Sequence, residues 1–142
     1  SVLEKKNALP LWLLAREEQW NQADRRGAKP FDCRVCERSE RSREMHGCTK
    51  PRKQPRSIGP YELTRCPNYY LSNADSLRDS IINAYTDFKA GVIQAWPDGW
   101  AGAIEEGVRF LNNEVNACQV DMMKESQRQH QRDRVATAAR RR

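Results

Sequence analysis

The chain lacks the features that mark a membrane protein, a secreted protein or a histidine-based enzyme. Its longest apolar run, residues 11–15, is far shorter than the ~18–20 residues that cross a membrane. Its first residues carry no apolar segment followed by a cleavage site, so we expect no signal peptide. Only two histidines occur, and no neighbouring pattern positions either one for catalysis. The sequence therefore favours a non-enzymatic protein without a membrane span.

Apolar residues are also scarce. Hydrophobic residues make up 38% of the 142-residue chain and charged residues make up 31%, which allows only a modest core. This length suits one compact domain, or a helical domain with a small metal-bound module.

Three segments carry the signals of helices. Residues 10–26 begin with Pro10, which suits the first position of a helix, and end before Gly27. Residues 73–90 have Asn73 as a candidate N-cap and Gly91 as a stop. A third helix follows Asp98, its candidate cap. The apolar side chains of the second segment recur at helical spacing: Leu77, Ile81, Tyr85 and Phe88.

The third helix carries a heptad pattern. This apolar face is suited to packing against the second helix, as a helical hairpin, or against a partner. The pattern ends after Met123, and a basic segment, residues 124–142, follows it. An isolated helix of that length is marginal, so we expect the segment to fray or to become ordered only on a partner. The heptad residues step by four and three positions: Ile104, Val108, Leu111, Val115, Cys118 and Met122.

Four of the five cysteines lie within 34 residues, in the part of the chain with the fewest helix signals. Cys33 and Cys36 form a C-x-x-C pair, and Cys48 and Cys66 follow singly. Residues 28–70 show no sustained period, so we expect loops, a turn at 58–60 and one short strand at 61–64. So polar a segment cannot build a core of its own, whereas four thiolates around a zinc ion would hold it in one shape.

Other interpretations of the cysteines stay open. His46 is the substitute ligand if one cysteine stays free. Two disulfides would need an oxidising compartment, which nothing in the sequence indicates, and the thiols could also be unpaired. A thioredoxin-like motif is disfavoured because no strand precedes Cys33 and no βαβ pattern exists. Four thiolates would fill the zinc shell and leave no position for a catalytic water, so we expect a structural metal.

Charge is unevenly distributed along the chain. Residues 25–65 hold 12 basic side chains against 5 acidic ones, residues 71–123 hold 3 against 8, and residues 124–142 hold 7 against 2. Such blocks fit a polyanionic partner, or neighbouring subunits that pair acidic with basic faces, and they equally fit a solvated surface. The candidates for polyanion binding around the cysteines are Arg41, Arg43, Lys50, Arg52, Lys53 and Arg56.

Aromatic residues are few, at 8% of the chain, and several of them are tryptophans. Large aromatic side chains serve as buried anchors, either in a core or at an interface with a partner. The candidates for this role are Trp12, Trp20, Trp96 and Trp100.

Short motifs follow one another in a fixed order over residues 31–122. The order is Cys33-x-x-Cys36, Gly47-Cys48, Arg65-Cys66-Pro67, a helix with Tyr85 and Phe88 before Ala90-Gly91, and Gly99-Trp100 before a long helix. This order resembles that of small proteins encoded in the tail-morphogenesis region of tailed-phage and prophage genomes. The resemblance implies a four-cysteine metal-binding head followed by a pair of helices, acting in tail assembly or as a minor tail component. The helix at 10–26 and the basic segment after Met123 depart from that pattern.

These observations predict a mainly α fold in four parts: an N-terminal helix and docking segment (1–27), a loop-rich four-cysteine zinc module (28–70), a helical hairpin (71–123) and a basic extension (124–142). The predicted function is that of a non-enzymatic structural or assembly protein of a phage tail or tail-like particle, in the virion or in the host cytoplasm during assembly. Its expected partners are other particle or assembly proteins, with a homo-oligomer or nucleic acid as alternatives. The rival function is a zinc-finger-type regulator that binds nucleic acid through the basic module, although no helix lies between ligand pairs to enter a groove.

Overall fold

A computed structural model of the chain describes residues 5–21, 31–72, 76–92 and 101–142. Within these ranges the fold is mainly helical, as the sequence predicts. No helix described in them combines the length and the apolar composition of a membrane span. In chain order the elements are α1 (Lys5–Ala15), α2 (Glu17–Trp20), α3 (Cys33–Cys36), α4 (Glu40–His46), β1 (Arg56–Ile58), β2 (Tyr61–Leu63), α5 (Pro67–Ser72), α6 (Ser76–Lys89) and α7 (Ala101–Arg140).

The first helix differs from its prediction. Helix α1 already includes Lys5, so Pro10 lies inside the helix and not at its first position. Proline inside a helix costs about 3 kcal/mol, because it removes one hydrogen bond and crowds the preceding turn. The next three residues, Leu11, Trp12 and Leu13, are buried, and each such side chain contributes about 1.5–3 kcal/mol, which offsets that cost. The rest of the predicted helix divides into α2, which ends at Trp20, and a part that lies outside the described residues.

One core lies where α1, α6 and α7 meet, and we call it the helix core. The predicted heptad face of α7 is buried here, and Cys118 further along the same face is buried as well. The helices approach closely at Gly107, where a Cβ atom would overlap the side chain of Ile81. Phe88 is 54% exposed, contrary to its predicted place in the packed face, because it lies in the last turn of α6, beyond the buried row. The buried residues of the helix core are Leu11, Ile81, Ala84, Ile104, Val108 and Leu111.

A second core lies between α1 and the segment 31–72, and we call it the module core. Strand β2 confirms the predicted strand, and its antiparallel partner β1 is an addition, with Ile58 opposite Tyr61 across the turn. Gly59 in that turn has a φ of 57°, and a Cβ atom there would overlap the ring of Trp12. The hairpin turn is therefore glycine so that Trp12 can lie against it. The buried residues of the module core are Trp12, Leu13, Phe31, Ile58, Leu63 and Cys66.

Helix α1 joins the two cores, although the sequence treats residues 1–27 as a separate docking segment. Leu11 belongs to the helix core, while its neighbours Trp12 and Leu13 belong to the module core. Arg16, which directly follows α1, forms two ion pairs with α7. Its Nε lies 3.1 Å from Oε2 of Glu114, and its Nη1 lies 3.0 Å from Oδ2 of Asp121. The two cores are thus parts of one structure that share a helix.

Helix α7 is 40 residues long, or about 60 Å at 1.5 Å per residue. The expectation that residues 124–142 fray without a partner is wrong for this structure, because the helix continues to Arg140 although every residue from Met123 onward is exposed. The packed first half of α7 already supplies a nucleus, after which each further residue adds a hydrogen bond. Alanine, arginine and glutamine, which are frequent in this segment, are strong helix formers.

Candidate metal centre

Cys33 and Cys36 lie at the two ends of α3, a single helical turn. The carboxylate of Asp32 caps this turn by accepting a hydrogen bond of 2.9 Å from the backbone N–H of Arg34. Residues three positions apart in a helix lie on one face, so the turn presents both thiols on the same side. Cys36 is buried and Cys33 is exposed. The C-x-x-C pair therefore contributes one sulfur from inside the module and one from its surface.

Cys48 is positioned by the glycine that precedes it. Gly47 ends α4 with a φ of 75°, and the N–H of Cys48 donates to the carbonyl of Arg43 at 2.9 Å. A Cβ atom on residue 47 would lie 2.6 Å from the carbonyl oxygen of Thr64 and 3.1 Å from Cα of Arg65. Only glycine allows both the left-handed φ and this close approach. The contact places Cys48 beside the segment that leads into Cys66.

Cys66 directly precedes α5 and is buried in the module core. Two residues later, Asn68 connects three parts of the site. Its backbone N–H donates to the sulfur of Cys66, and its side-chain amide donates to the carbonyl of Phe31 at 2.9 Å and to Sγ of Cys33 at 3.4 Å. N–H groups directed at sulfur favour the thiolate, which is the form that binds metals. The sequence analysis did not identify Asn68, although its place two residues after a cysteine is a signal that could have found it.

The four thiols are close enough to one another to interact electrostatically. Burial is the largest cause of the shift at Cys66, and together with the negative charges of Cys48, Cys33 and Cys36 it raises the pKa of this thiol to about 11. Burial likewise raises the pKa of Cys36, with added effects of Cys48 and Cys33. A cation among these sulfurs would lower the pKa values of the thiols, because it favours the deprotonated form of each ligand.

The sulfur atoms do not form a coordination shell as they stand. Across the described ranges, no group of three or more histidine, cysteine, aspartate or glutamate side chains is arranged to hold a metal ion. Electrostatic effects between thiolates act over longer distances than a zinc–sulfur bond of about 2.3 Å. The thiols can therefore affect one another electrostatically without being close enough to bind one metal ion. All five cysteines are free thiols. Zinc binding would therefore require the four side chains to approach one another more closely.

His46, the predicted substitute ligand, contacts an arginine instead. Its Nδ1 lies 3.4 Å from Nη1 of Arg56, and its ring centroid lies 5.3 Å from that of Phe31. The guanidinium carbon Cζ of Arg56 lies over the ring of Phe31, 5.3 Å from its centroid. Burial lowers the pKa of His46, and the charges of Arg56 and Arg52 lower it further. The neutral imidazole is thus part of the packing between Phe31 and Arg56.

The predicted polyanion-binding residues divide into two groups. Arg52 and Arg56 are half-buried beside the cysteines, whereas the others are exposed. The N–H of Arg52 donates to the carbonyl of Thr64 at 2.7 Å, and its buried Nη1 has no hydrogen-bond partner among the residues that the structure describes. Within the described residues, neither of these two arginines forms an ion pair with a carboxylate. The exposed members are Arg41, Arg43, Lys50 and Lys53.

Two of the predicted tryptophan anchors lie inside the molecule. The ring of Trp12 is 8% exposed and packs edge-on against Tyr61 at 5.2 Å. Trp20 donates from Nε1 to the carbonyl of Leu13 at 2.8 Å and packs against Phe31 at 5.6 Å. These contacts give both rings a role in the module core, which is one of the two places that the sequence leaves open for such anchors. Trp96 and Trp100 lie outside the described residues.

The chain matches no protein-family model, no curated protein and no solved structure. The resemblance to tail-morphogenesis proteins therefore stays a prediction, and the chemistry of the site rests on the residues of this chain.

Proposed function

We propose that the chain is a non-enzymatic structural or assembly protein of a phage tail or tail-like particle, in which a structural zinc ion fixes the shape of a protein-docking module. Cys33, Cys36, Cys48 and Cys66 are the proposed ligands. The observation that supports the metal is that these thiols, from three separate segments, lie close enough to interact electrostatically, with the cap of α3, the close approach at Gly47 and the hydrogen bonds of Asn68 positioning them.

The charges around the thiols support a negatively charged centre. Burial lowers the pKa of Arg56, the nearby charge of Arg52 lowers it further, and the electrostatic interaction with Cys66 acts in the opposite direction. Neutral thiols would leave these two half-buried guanidinium groups without a countercharge from the described residues, which is unfavourable. Zn²⁺ with four thiolates carries a net charge of −2, which matches two arginines.

The secondary structure of the module also supports a cross-link. Its two strands have three residues each, and its helices have four to seven. Elements this short supply few regular hydrogen bonds and little buried apolar surface. A structural zinc ion contributes about 10–16 kcal/mol of apparent binding free energy to small domains of this kind.

The docking role is supported by exposed apolar side chains on the module. Val35 is 60% exposed, Met45 53% and Tyr69 40%. Val35 lies between the two cysteines of α3, and Met45 precedes His46 in α4, so a metal that fixes these turns would also fix this surface. We assign the docking contacts to these residues in place of Trp12. The placement in a tail particle is supported by the order of the motifs over residues 31–122.

Affinity purification from host cells that are assembling tailed-phage particles tests this function. The tagged full-length chain should recover identified tail components, and so should the matched control Cys118→Ser, which removes the cysteine outside the module. The variant Cys48→Ser should lose them because its module is not fixed. The double variant Val35→Ser/Met45→Ser should bind zinc normally and still recover less.

Two outcomes would contradict different parts of the proposal. Recovery of no tail component by a zinc-containing chain, from either assembling or mature particles, would contradict the assembly role while leaving the metal in place. Equal recovery by the wild-type chain and Cys48→Ser would contradict the role of the metal in docking.

A further inference from the structure

The second half of α7 is a bare, positively charged helix. Residues 124–142 hold 7 basic and 2 acidic side chains, a surplus of 5, and every one of these residues is exposed. The segment is helical to Arg140 and spans about 27 Å at 1.5 Å per residue. A surface of this charge density has a strong positive potential and attracts polyanions.

The basic residues form two rows along the helix. Lys124, Arg128 and Arg132 follow one another at four-residue spacing, which places them on one side. Arg134 and Arg141, seven residues apart, form the second row, on average a little more than a third of a turn away. Between the rows lies a strip of uncharged side chains: Gln127, Gln131 and Ala138.

The two acidic residues leave these rows largely uncompensated. Glu125 forms an ion pair with Arg128, with 3.4 Å between Oε2 and Nη1. Both side chains are more than half exposed, so the ion pair is weak, and a phosphate can take the place of the Glu125 carboxylate. Asp133 accepts a hydrogen bond of 2.9 Å from Gln129 on the other side of the helix. In the described part of the chain, Arg132 and Arg134 have no ion-pair partner.

The composition of this face favours nucleic acid over a protein as its partner. Protein interfaces need an apolar centre with aromatic or large aliphatic anchors, and residues 124–142 offer only Val135 as a large apolar side chain. The major groove of B-DNA is about 12 Å wide and accepts a single α-helix, whereas that of A-form RNA is too narrow. Two rows of cations flanking a glutamine-containing strip match the phosphates on the two edges of that groove.

We propose that residues 124–142 bind the phosphate backbone of double-stranded DNA, with the helix lying in or along the major groove. This interaction does not depend on the metal centre, because the extension lies beyond the part of α7 that packs against the rest of the chain. It also differs from the rival function in the sequence analysis, which assigned nucleic-acid binding to the basic module around the cysteines.

Fluorescence anisotropy with a mixed-sequence DNA duplex of about 20 base pairs, at salt concentrations from about 50 to about 200 mM, tests this proposal. The full chain should bind with an affinity that falls steeply with salt. Each phosphate contact contributes about 0.9 to the slope of log K against log salt. The triple variant Arg128→Gln/Arg132→Gln/Arg134→Gln should therefore lower that slope by about 3. Glutamine is nearly as good a helix former as arginine, so circular dichroism should show unchanged helix content.

A matched variant removes the same amount of charge elsewhere. Arg38→Gln/Lys89→Gln/Arg109→Gln changes three exposed basic residues outside residues 124–142, and it should keep the slope within about 1 of the wild-type value. Equal losses in the two triple variants would show that net charge alone is sensed and would overturn the proposal. No binding of the full chain at the lowest salt, or binding to polyglutamate in preference to the duplex, would also overturn it.

Discussion

The helix core and the module core differ in the side chains that form them and in the length of the elements that supply these side chains. The helix core consists of aliphatic side chains from α1, α6 and α7, helices of 11, 14 and 40 residues. The module core mixes aromatic and aliphatic side chains with a cysteine and, apart from α1, draws on strands and helices of three to seven residues. Long helices that bury an apolar face are stable through packing. Short elements around a few aromatic rings are not, so the comparison indicates where a metal is needed.

Helix α1 makes this comparison testable, because consecutive residues of one element enter different cores. A substitution in the helix core and one in the module core can then be made in the same helix, with the same helix propensity. If the account is correct, removal of the metal should separate their effects.

Metal removal should give the largest effect. Chelation of zinc, or the variant Cys48→Ser, should abolish the protection of backbone amides in residues 31–72 from hydrogen exchange. The amides of α6 and of the first half of α7 should keep most of their protection, because only the module core depends on the cross-link. Hydrogen exchange followed by mass spectrometry measures both regions at once. Cys118→Ser is the control, since it lies on α7. A uniform loss of protection over both regions would show that the two cores unfold as one unit.

Two alanine variants in α1 should give the next largest effect. Leu11 and Leu13 are both fully buried, so Leu11→Ala and Leu13→Ala should each lower the free energy of unfolding by about 2–5 kcal/mol in the zinc-bound chain. After chelation, Leu11→Ala should keep that effect, whereas Leu13→Ala should lose most of it because the module core is already open. Chemical denaturation followed by helix signal measures both values. Equal persistence of the two effects without zinc would contradict the separation of the cores.

Three glycine-to-alanine variants should give the smallest effects and should differ in sign. Gly59→Ala meets the ring of Trp12 at a positive φ, and Gly107→Ala meets Ile81, so each should cost about 1–3 kcal/mol, the first in the module core and the second in the helix core. Gly102 is exposed on α7 with open space around it. Gly102→Ala should therefore stabilise the chain by about 0.5–1 kcal/mol. Thermal unfolding measures the order of stability of the three variants. Stabilisation by Gly107→Ala would show that α6 and α7 do not approach each other as closely as described.

The sequence predicted the elements whose signals are local. The heptad face of α7, the stop at Gly91 and the strand at 61–63 follow from periodicity and from single turn residues, and the structure has all three. Helix α4 escaped prediction because it has no apolar face, yet its caps were visible as Ser39 before it and Gly47 after it. The position of Pro10 inside α1 was not predictable from propensity, since burial of the following residues overrides it.

The candidate site was predictable only in part. The spacing of the cysteines identified the residues that the fold brings near one another. The contact of Gly47 with the Thr64–Arg65 backbone, the side-chain hydrogen bonds of Asn68 to Phe31 and Cys33, and the hydrogen bond from Arg52 to Thr64 all join residues distant in sequence. No local pattern carries such information, because these contacts depend on how the loops fold over the module core.

Metal analysis of the purified full chain, kept under reducing conditions, tests the central claim most directly. The account predicts about one zinc ion per chain in the wild type and in Cys118→Ser, and far less in Cys48→Ser. A wild-type chain that contains no metal and still protects the amides of residues 31–72 would contradict it.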